Sequence, residues 1–341
     1  WHDPNIWVKD MYLTFRIDQP DDTSIFIRLF KDGMLPSPVV TRSYILRDKE
    51  YPLPILSITT ANDNLYSSAY GLFAKGPNGR AGNGQDAKCN WNMDWDRPVN
   101  FELITEDGLM AINQEVNLSA CGGWSRAWGH HSFKLKADRQ YDGHKNYYEY
   151  PIFKEKPFNR NKTVQIRNGG NDSDCRIKDA ALQEIIARSG LDADCQGYVP
   201  VMHFINGSYI GLIKMREPNN KHFAFANYGL SAEEQDQFEI SPDSNYIQMA
   251  GTKDAFDRWY RLAENASDDA VYEEIKKVVD IDNFINYIAL EFYLGNWDWP
   301  KNNLKAFRPR TEEGRFRFVV FDLDGSFSVG GPFPTLAGKP T

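Results

Sequence analysis

Residues 295–325 read GNWDWPKNNLKAFRPRTEEGRFRFVVFDLDG, and this stretch decides how the rest of the chain is understood. Just before it, Phe284, Ile285, Ile288, Leu290 and Phe292 recur at helical spacing, from an N-cap expected at Asp282 to a stop at Gly295. Pro300 cannot continue a helix, so Asp298 and Asn303 fall in a loop. Two strands, over 304–310 and 315–321, flank Thr311-Glu312-Glu313-Gly314 as a hairpin. A turn symmetric about Glu312 and Glu313 sets Asn303 opposite Asp322, with Asp298 a few residues upstream. An amide and two carboxylates thus meet at the open end of one hairpin. Asp324 stands on the same side as Asp322 by strand alternation and competes for its role.

Outward from that hairpin, helical periodicity covers 179–189, 254–264 and 269–279, besides 282–294. Earlier segments read as strands: 12–17, 24–30 and 39–46, then 99–105, 112–118, 132–136, 163–167, 199–205 and 209–215. Asn206-Gly207, between the last two, is a strong hairpin dipeptide. Strands early and helices late, closed by a hairpin, make an α+β fold and not an alternating parallel one. Pro52 and Pro54 punctuate the chain before Ile55-Leu56-Ser57-Ile58-Thr59-Thr60 opens the main domain. The expected organisation is the tail of a β-sandwich-like module over 1–52, a main domain over 53–330 and a Gly- and Pro-rich tail over 331–341. Residues 76–84, GPNGRAGNG, lack the G-x-x-x-x-G-K-[ST] spacing of a phosphate loop and read as a surface loop.

The 341 residues carry 39 Lys and Arg against 47 Asp and Glu, a net charge of −8. That balance gives no basic face with which to displace counterions from nucleic acid. Mean hydropathy is −0.57, and no apolar run approaches the roughly 18–20 residues that cross a bilayer. Neither a nucleic-acid partner nor a membrane span is expected. Cys89, Cys121, Cys175 and Cys195 form no C-x-x-C pair, which argues against a zinc site and leaves disulfides and buried thiols both open. Trp1 in place of Met reads as a processed start. Aromatic residues make up 14% of the chain, either as core packing or as platforms for a sugar or a base. Trp297, Trp299, Phe316, Phe318 and Phe321 surround Asp298 and Asp322 and read mainly as their scaffold.

Mg²⁺ takes one or two protein carboxylates or amides and completes its shell with water and phosphate oxygens. Asp298, Asn303 and Asp322 offer that donor set. Protein kinases place an Asp base five residues before a metal-binding Asn and add a downstream metal-binding Asp. Asp298 and Asn303 have the same step. Singly, each of these residues would be an ordinary cap or turn residue. Together they point to metal-dependent phosphoryl transfer.

With these residues in place, the chain resembles the CotH kinases, named after spore coat protein H of bacilli and found in many secreted bacterial and some fungal proteins. The resemblance rests on LPILSITTANDNLYSSAYGLFAKGPNG, WDRPVNFELI, GGWSRAWGHHSFKLKA, IRNGGNDSD with KDAALQ, FINGSYIGLIKMREPNNKHF, and GNWDWPKNN with FVVFDLDGSF, in that order. It implies an atypical protein-kinase-like fold and an ATP site with Mg²⁺ or Mn²⁺. It further implies transfer to a Ser or Thr hydroxyl of a protein substrate, in an extracytoplasmic setting. Asp298 matches the catalytic aspartate, Asn303 and Asp322 the metal ligands, and Glu217 the strand-end acid, which either pairs with a basic phosphate ligand or is a surface acid. One departure is His131, where the family reads lysine before a serine; a neutral imidazole cannot replace an ammonium against triphosphate. Arg126, Lys134 or Arg167 would then supply the charge. The family also continues with helices beyond its FDLD-like motif, so a fragment is expected here. The alternatives are a catalytically silent pseudokinase and an adhesion or glycan-binding module that uses exposed Trp rings.

Overall fold

A computed structural model describes residues 23–27, 32–35, 37, 39–45, 52–158, 160–172 and 175–327. The strand expected over 12–17 and the tail over 331–341 lie outside the described residues. Strands β1 (Thr23–Ile27) and β2 (Val40–Tyr44) pair antiparallel as a sheet of their own. In chain order there follow β3 (Ile55–Thr59), α1 (Asn62–Tyr66), β4 (Lys75–Gly82), β5 (Gln85–Cys89), β6 (Arg97–Ile104), β7 (Met110–Ala120), β8 (Phe133–Lys136) and β9 (Thr163–Arg167). Helix α2 (Lys178–Arg188) leads into β10 (Tyr198–Ile205) and β11 (Ser208–Arg216). The last third holds α3 (Phe223–Tyr228), β12 (Gln235–Ser241), β13 (Asn245–Ala250), α4 (Asp254–Ala263), α5 (Asp269–Lys276), α6 (Ile281–Leu294), β14 (Leu304–Pro309) and β15 (Arg317–Val319).

Seven strands close a barrel in the order β3-β6-β7-β8-β9-β11-β10. Every pair is antiparallel except the closing one, where β10 runs parallel to β3 with Met202 opposite Ile55. Alternation along each strand decides its two faces. Phe133, Leu135, Val164, Ile166, Ile213 and Met215 are buried in one core with Leu56, Ile58, Phe101 and Val201. Lys134, Lys136, Gln165, Arg167, Lys214 and Arg216 occupy the alternate positions and therefore point away from it. Asn206 and Gly207 both have positive φ, 49° and 83°. They join β10 to β11 as the two-residue turn their sequence announces. The glycine-rich segment is not the surface loop its composition suggests: it forms β4 and the turn into β5. A Cβ on Gly79 would lie 2.5 Å from the Cys89 carbonyl carbon.

The second layer is the sheet β13-β12-β14-β15 with α4, α5 and α6. Phe238, Tyr287, Trp299, Phe316, Phe318 and Val320 share its core. Much of the aromatic excess is here: Phe238, Tyr246, Phe256, Trp259, Phe284, Phe316 and Phe318 make a continuous chain of ring contacts. Helix α6 begins two residues earlier than expected, because Asp280 and not Asp282 is its N-cap. Gly295 ends it in the left-handed conformation, as a C-terminal glycine should. The hairpin register also differs by one residue, with Lys305 opposite Val319, Ala306 opposite Phe318 and Phe307 opposite Arg317. Beyond this pairing Pro309 has no N–H to give, and Phe316 donates to Val278 O rather than across the hairpin. All four cysteines are free thiols.

Candidate active site

The loop after α6 is built from its own polar side chains. Asn296 Nδ2 donates to Glu291 Oε2 at 2.9 Å, and Asn296 Oδ1 accepts from Asp298 N at 3.4 Å. Trp299 Nε1 donates to the buried Tyr287 hydroxyl at 2.6 Å. The helix thereby holds the loop on both sides of Asp298, at Asn296 and at Trp299. Asp298 Oδ2 then accepts from Asn302 Nδ2 at 2.9 Å and from Asn303 Nδ2 at 3.0 Å. Because a carboxylate only accepts, the Asn303 amide must turn its nitrogen to Asp298, and its oxygen makes no hydrogen bond among the described residues. Burial pushes the Asp298 carboxyl above its usual range, and the nearby Asp322 charge pushes the same way.

Asp322 lies three residues beyond β15 with left-handed φ 55°, as Asn303 does at 58°. Its Oδ1 accepts from Arg167 Nη2 at 2.5 Å, and its Oδ2 has no partner among the described residues. Asp324 is held far more tightly. Arg167 Nη2 reaches its Oδ2 at 3.3 Å, Asn171 N donates to Oδ2 at 2.9 Å and Asn171 Nδ2 to Oδ1 at 3.1 Å. Both oxygens of Asp324 are committed, so Asp322 keeps the open one. Burial, with the Asp322 charge next, lifts the Asp324 pKa to about 7. The hairpin shift removes Asn303 from direct opposition to Asp322. Each instead acts on Asp298, Asn303 by its hydrogen bond and Asp322 by its charge.

The remaining expected residues divide. Arg167, on β9, joins the cluster directly. Arg126 is spent on Gly122 O at 2.6 Å and Trp91 O at 3.0 Å. Lys134 is exposed on β8 and touches none of Asp298, Asn303 or Asp322. Glu217 is neither a surface acid nor a partner of Arg167: it is buried and ion-paired to Lys156 at 3.2 Å, with Gly197 N and Asn227 Nδ2 also donating to it. His131 stacks on Phe73 with ring centroids 4.5 Å apart and bonds through Nδ1 to Arg126 O at 2.7 Å. Burial lowers its pKa, so it stays neutral.

Several residues that sequence reasoning passed over belong to the same junction. Asp179, at the start of α2, takes Arg216 on one oxygen and the Leu323 N–H at 3.1 Å on the other. It ties the barrel to the segment that carries Asp322. Lys305 sits with its Nζ 4.0 Å from the Phe321 ring centre and 3.0 Å from Glu239 Oε2. Lys214 is buried beside Arg167. The alternation in Ile213-Lys214-Met215-Arg216 shows which side chains leave the barrel core, but the same pattern in Phe133-Lys134-Leu135-Lys136 leaves Lys134 exposed, so only the fold reveals that Lys214 and Arg216 are covered.

Among the described residues no three His, Cys, Asp or Glu side chains converge as a ready-made metal cage. The donors that do stand open, Asn303 Oδ1 and Asp322 Oδ2, are hard oxygens beside mutually repelling carboxylates, which suits Mg²⁺ or Mn²⁺ completed by phosphate and water. Together, fold and cluster define an α+β protein with a closed barrel and an acid-and-amide site where the barrel meets a second sheet. The family model described as CotH kinase protein matches residues 118–332. The chain belongs to the CotH kinase family. No curated protein matches it.

Proposed function

We propose that this chain is an atypical, kinase-like phosphotransferase that uses ATP and a divalent cation to phosphorylate a Ser or Thr hydroxyl of a protein. The observation that carries the reading is the meeting of Asp298, Asn303 and Asp322 with Arg167, from segments otherwise far apart in sequence. The metal, when bound, would neutralise phosphate charge at Asn303 and Asp322. Asp298, held by two amides and raised in pKa, would orient the acceptor hydroxyl and take its proton. Arg167 keeps Asp322 aimed and prevents its charge from repelling Asp298 freely. Trp299, Tyr287 and Phe318 fix the loop so that these atoms need little reorganisation.

Label transfer from ATP to a Ser- and Thr-rich acceptor protein, with Mg²⁺ or Mn²⁺, tests it. Asp298→Asn should fold normally and lose at least about 100-fold in transfer. Label incorporation that survives Asp322→Ala overturns the site assignment. The burial of His131 in an aromatic stack favours one second reading, a pseudokinase. Nucleotide binding without any transfer selects it.

A further inference from the structure

Lys214 is 4% exposed, and its ammonium has no hydrogen-bond partner. It lies on β11 directly across the ladder from Arg167, so both side chains leave the same face of the barrel towards the acid cluster. Four charged groups face it: Asp179 from α2, Arg216 from its own strand, Arg167 from β9 and Asp172 from the turn before α2. None of them hydrogen-bonds the ammonium. Asp179 gives one oxygen to Arg216 and the other to Leu323 N. Asp172 Oδ2 accepts from Ile177 N at 2.8 Å and Lys178 N at 2.7 Å. Two of the four are themselves cations. Lys214 is therefore an ammonium removed from water, flanked by positive charge and left unpaired.

Such a group lowers stability, whereas an unbranched apolar side chain of similar length would not. Unfavourable charges of this kind concentrate where a ligand completes them. The other basic groups near Asp322 are already paired with acids or carbonyls: Arg167 through Nη2 with Asp322 and Asp324, its buried Nε lacking a partner, Lys305 with Glu239 and Asn219 O, Lys178 with Asp324 O. At the position where a lysine is expected, His131 is locked in its stack.

We propose that Lys214 is the cation that receives the nucleotide's phosphates, so that the charge missing at His131 is supplied from β11. The assignment rests on the phosphotransferase reading above. An ammonium offers three donors to phosphate oxygens and gains the partner it lacks. Burial lowers its pKa to about 8, so it is still mostly protonated at pH 7.

The test compares wild type and Lys214→Met by calorimetric titration with ATP, ADP and AMP at saturating Mg²⁺, alongside thermal melting. The variant should melt at or above the wild-type temperature. Its ATP affinity should fall at least about tenfold while AMP affinity stays within about twofold. Unchanged ATP affinity overturns the assignment, as does an equal loss for ATP and AMP. A wild-type chain that binds none of the three overturns the phosphotransferase reading as well, so the two failures are distinguishable. Should Lys214→Met not fold, wild-type titrations at pH 8 in buffers of different ionisation enthalpy decide instead. Phosphate would raise the Lys214 pKa, so ATP must bring net proton uptake; none overturns the assignment.

Discussion

At the scale of single residues, what separates Asp322 from Asp324 is a glycine. Gly170 has φ +58°, and a Cβ there would lie 1.8 Å from Asp324 Oδ2 and 3.0 Å from Arg167 Nη2. Gly170→Ala should cost about 2–4 kcal/mol in urea denaturation, from left-handed backbone strain plus the clash. Loss of less than about 1 kcal/mol would mean that Asp324 is not clasped there. Lys214 carries a different signature. Its folded pKa of about 8 lies below the unfolded value near 10.5, so the penalty is complete below pH 8. Above pH 8 the folded state sheds the proton before the unfolded state does, and stability recovers as pH rises towards 10.5. Wild type should therefore gain on Lys214→Met by up to about 1.4 kcal/mol per pH unit across that window, read from denaturation midpoints. The contact of Asn303 with Asp298 was legible because they lie five positions apart in one loop, whereas the expected opposition of Asn303 and Asp322 failed because the hairpin pairs one residue out of the symmetric register. Asp179 and Lys214 were not legible, because their meaning depends on Leu323, Arg167 and Arg216, which only the folded layers bring near.

At the scale of elements, strongly periodic segments were readable and polar ones were not. Helix α6 was expected from its apolar spacing, and its Gly295 stop is where the sequence puts it. Its start moved to Asp280 because two acids lie within one turn and only the folded chain selects the cap. Strand β12 escaped notice because Gln235, Asp236 and Gln237 look like loop residues. In the sheet they are buried and held by groups outside the strand, Gln235 through Nε2 by Lys221 O and Ser231 O, Asp236 by Arg308 and Thr252 N, Gln237 through Nε2 by Asn219. The one-residue hairpin shift was equally hidden, since the bond from Phe316 N to Val278 O joins residues far apart in sequence. Helix α6 also carries a test of its own. Glu291 is buried with Asn296 as its amide partner, and burial lifts its pKa to about 8. Between about pH 4.5 and 8 the folded chain keeps a proton that the unfolded chain has released, so stability falls as pH rises through that range. Glu291→Gln keeps an oxygen for Asn296 and removes the titration. Its advantage over wild type should widen by up to about 1.4 kcal/mol per pH unit between pH 5 and 8 and stay flat above. A constant difference across that range would show that Glu291 is ionised when folded.

At the scale of the whole molecule, barrel and second sheet each have their own apolar core, and α2 joins them by polar contacts. Gln183 accepts from Gln196 N and donates to Val320 O, both at 3.0 Å, while Asp179 spans Arg216 and Leu323. These ties fix the position of Asp322 relative to Arg167 and Lys214, so they should govern function separately from stability. Asp179→Ala leaves Arg216 buried and unpaired and should cost about 3–5 kcal/mol. The double variant Asp179→Ala, Arg216→Met removes both charges and fills the space with an apolar chain, which is near neutral for a buried ion pair. Most of the lost stability should therefore return. The Leu323 N–H still lacks its acceptor, so the segment that carries Asp322 stays untethered. Mn²⁺ affinity, followed by electron paramagnetic resonance of the free ion, should remain below wild type in the double variant although its denaturation midpoint has recovered. Recovery of both together would reduce Asp179 to half of a buried ion pair; recovery of stability alone makes it the tie through which α2 sets the metal-binding segment.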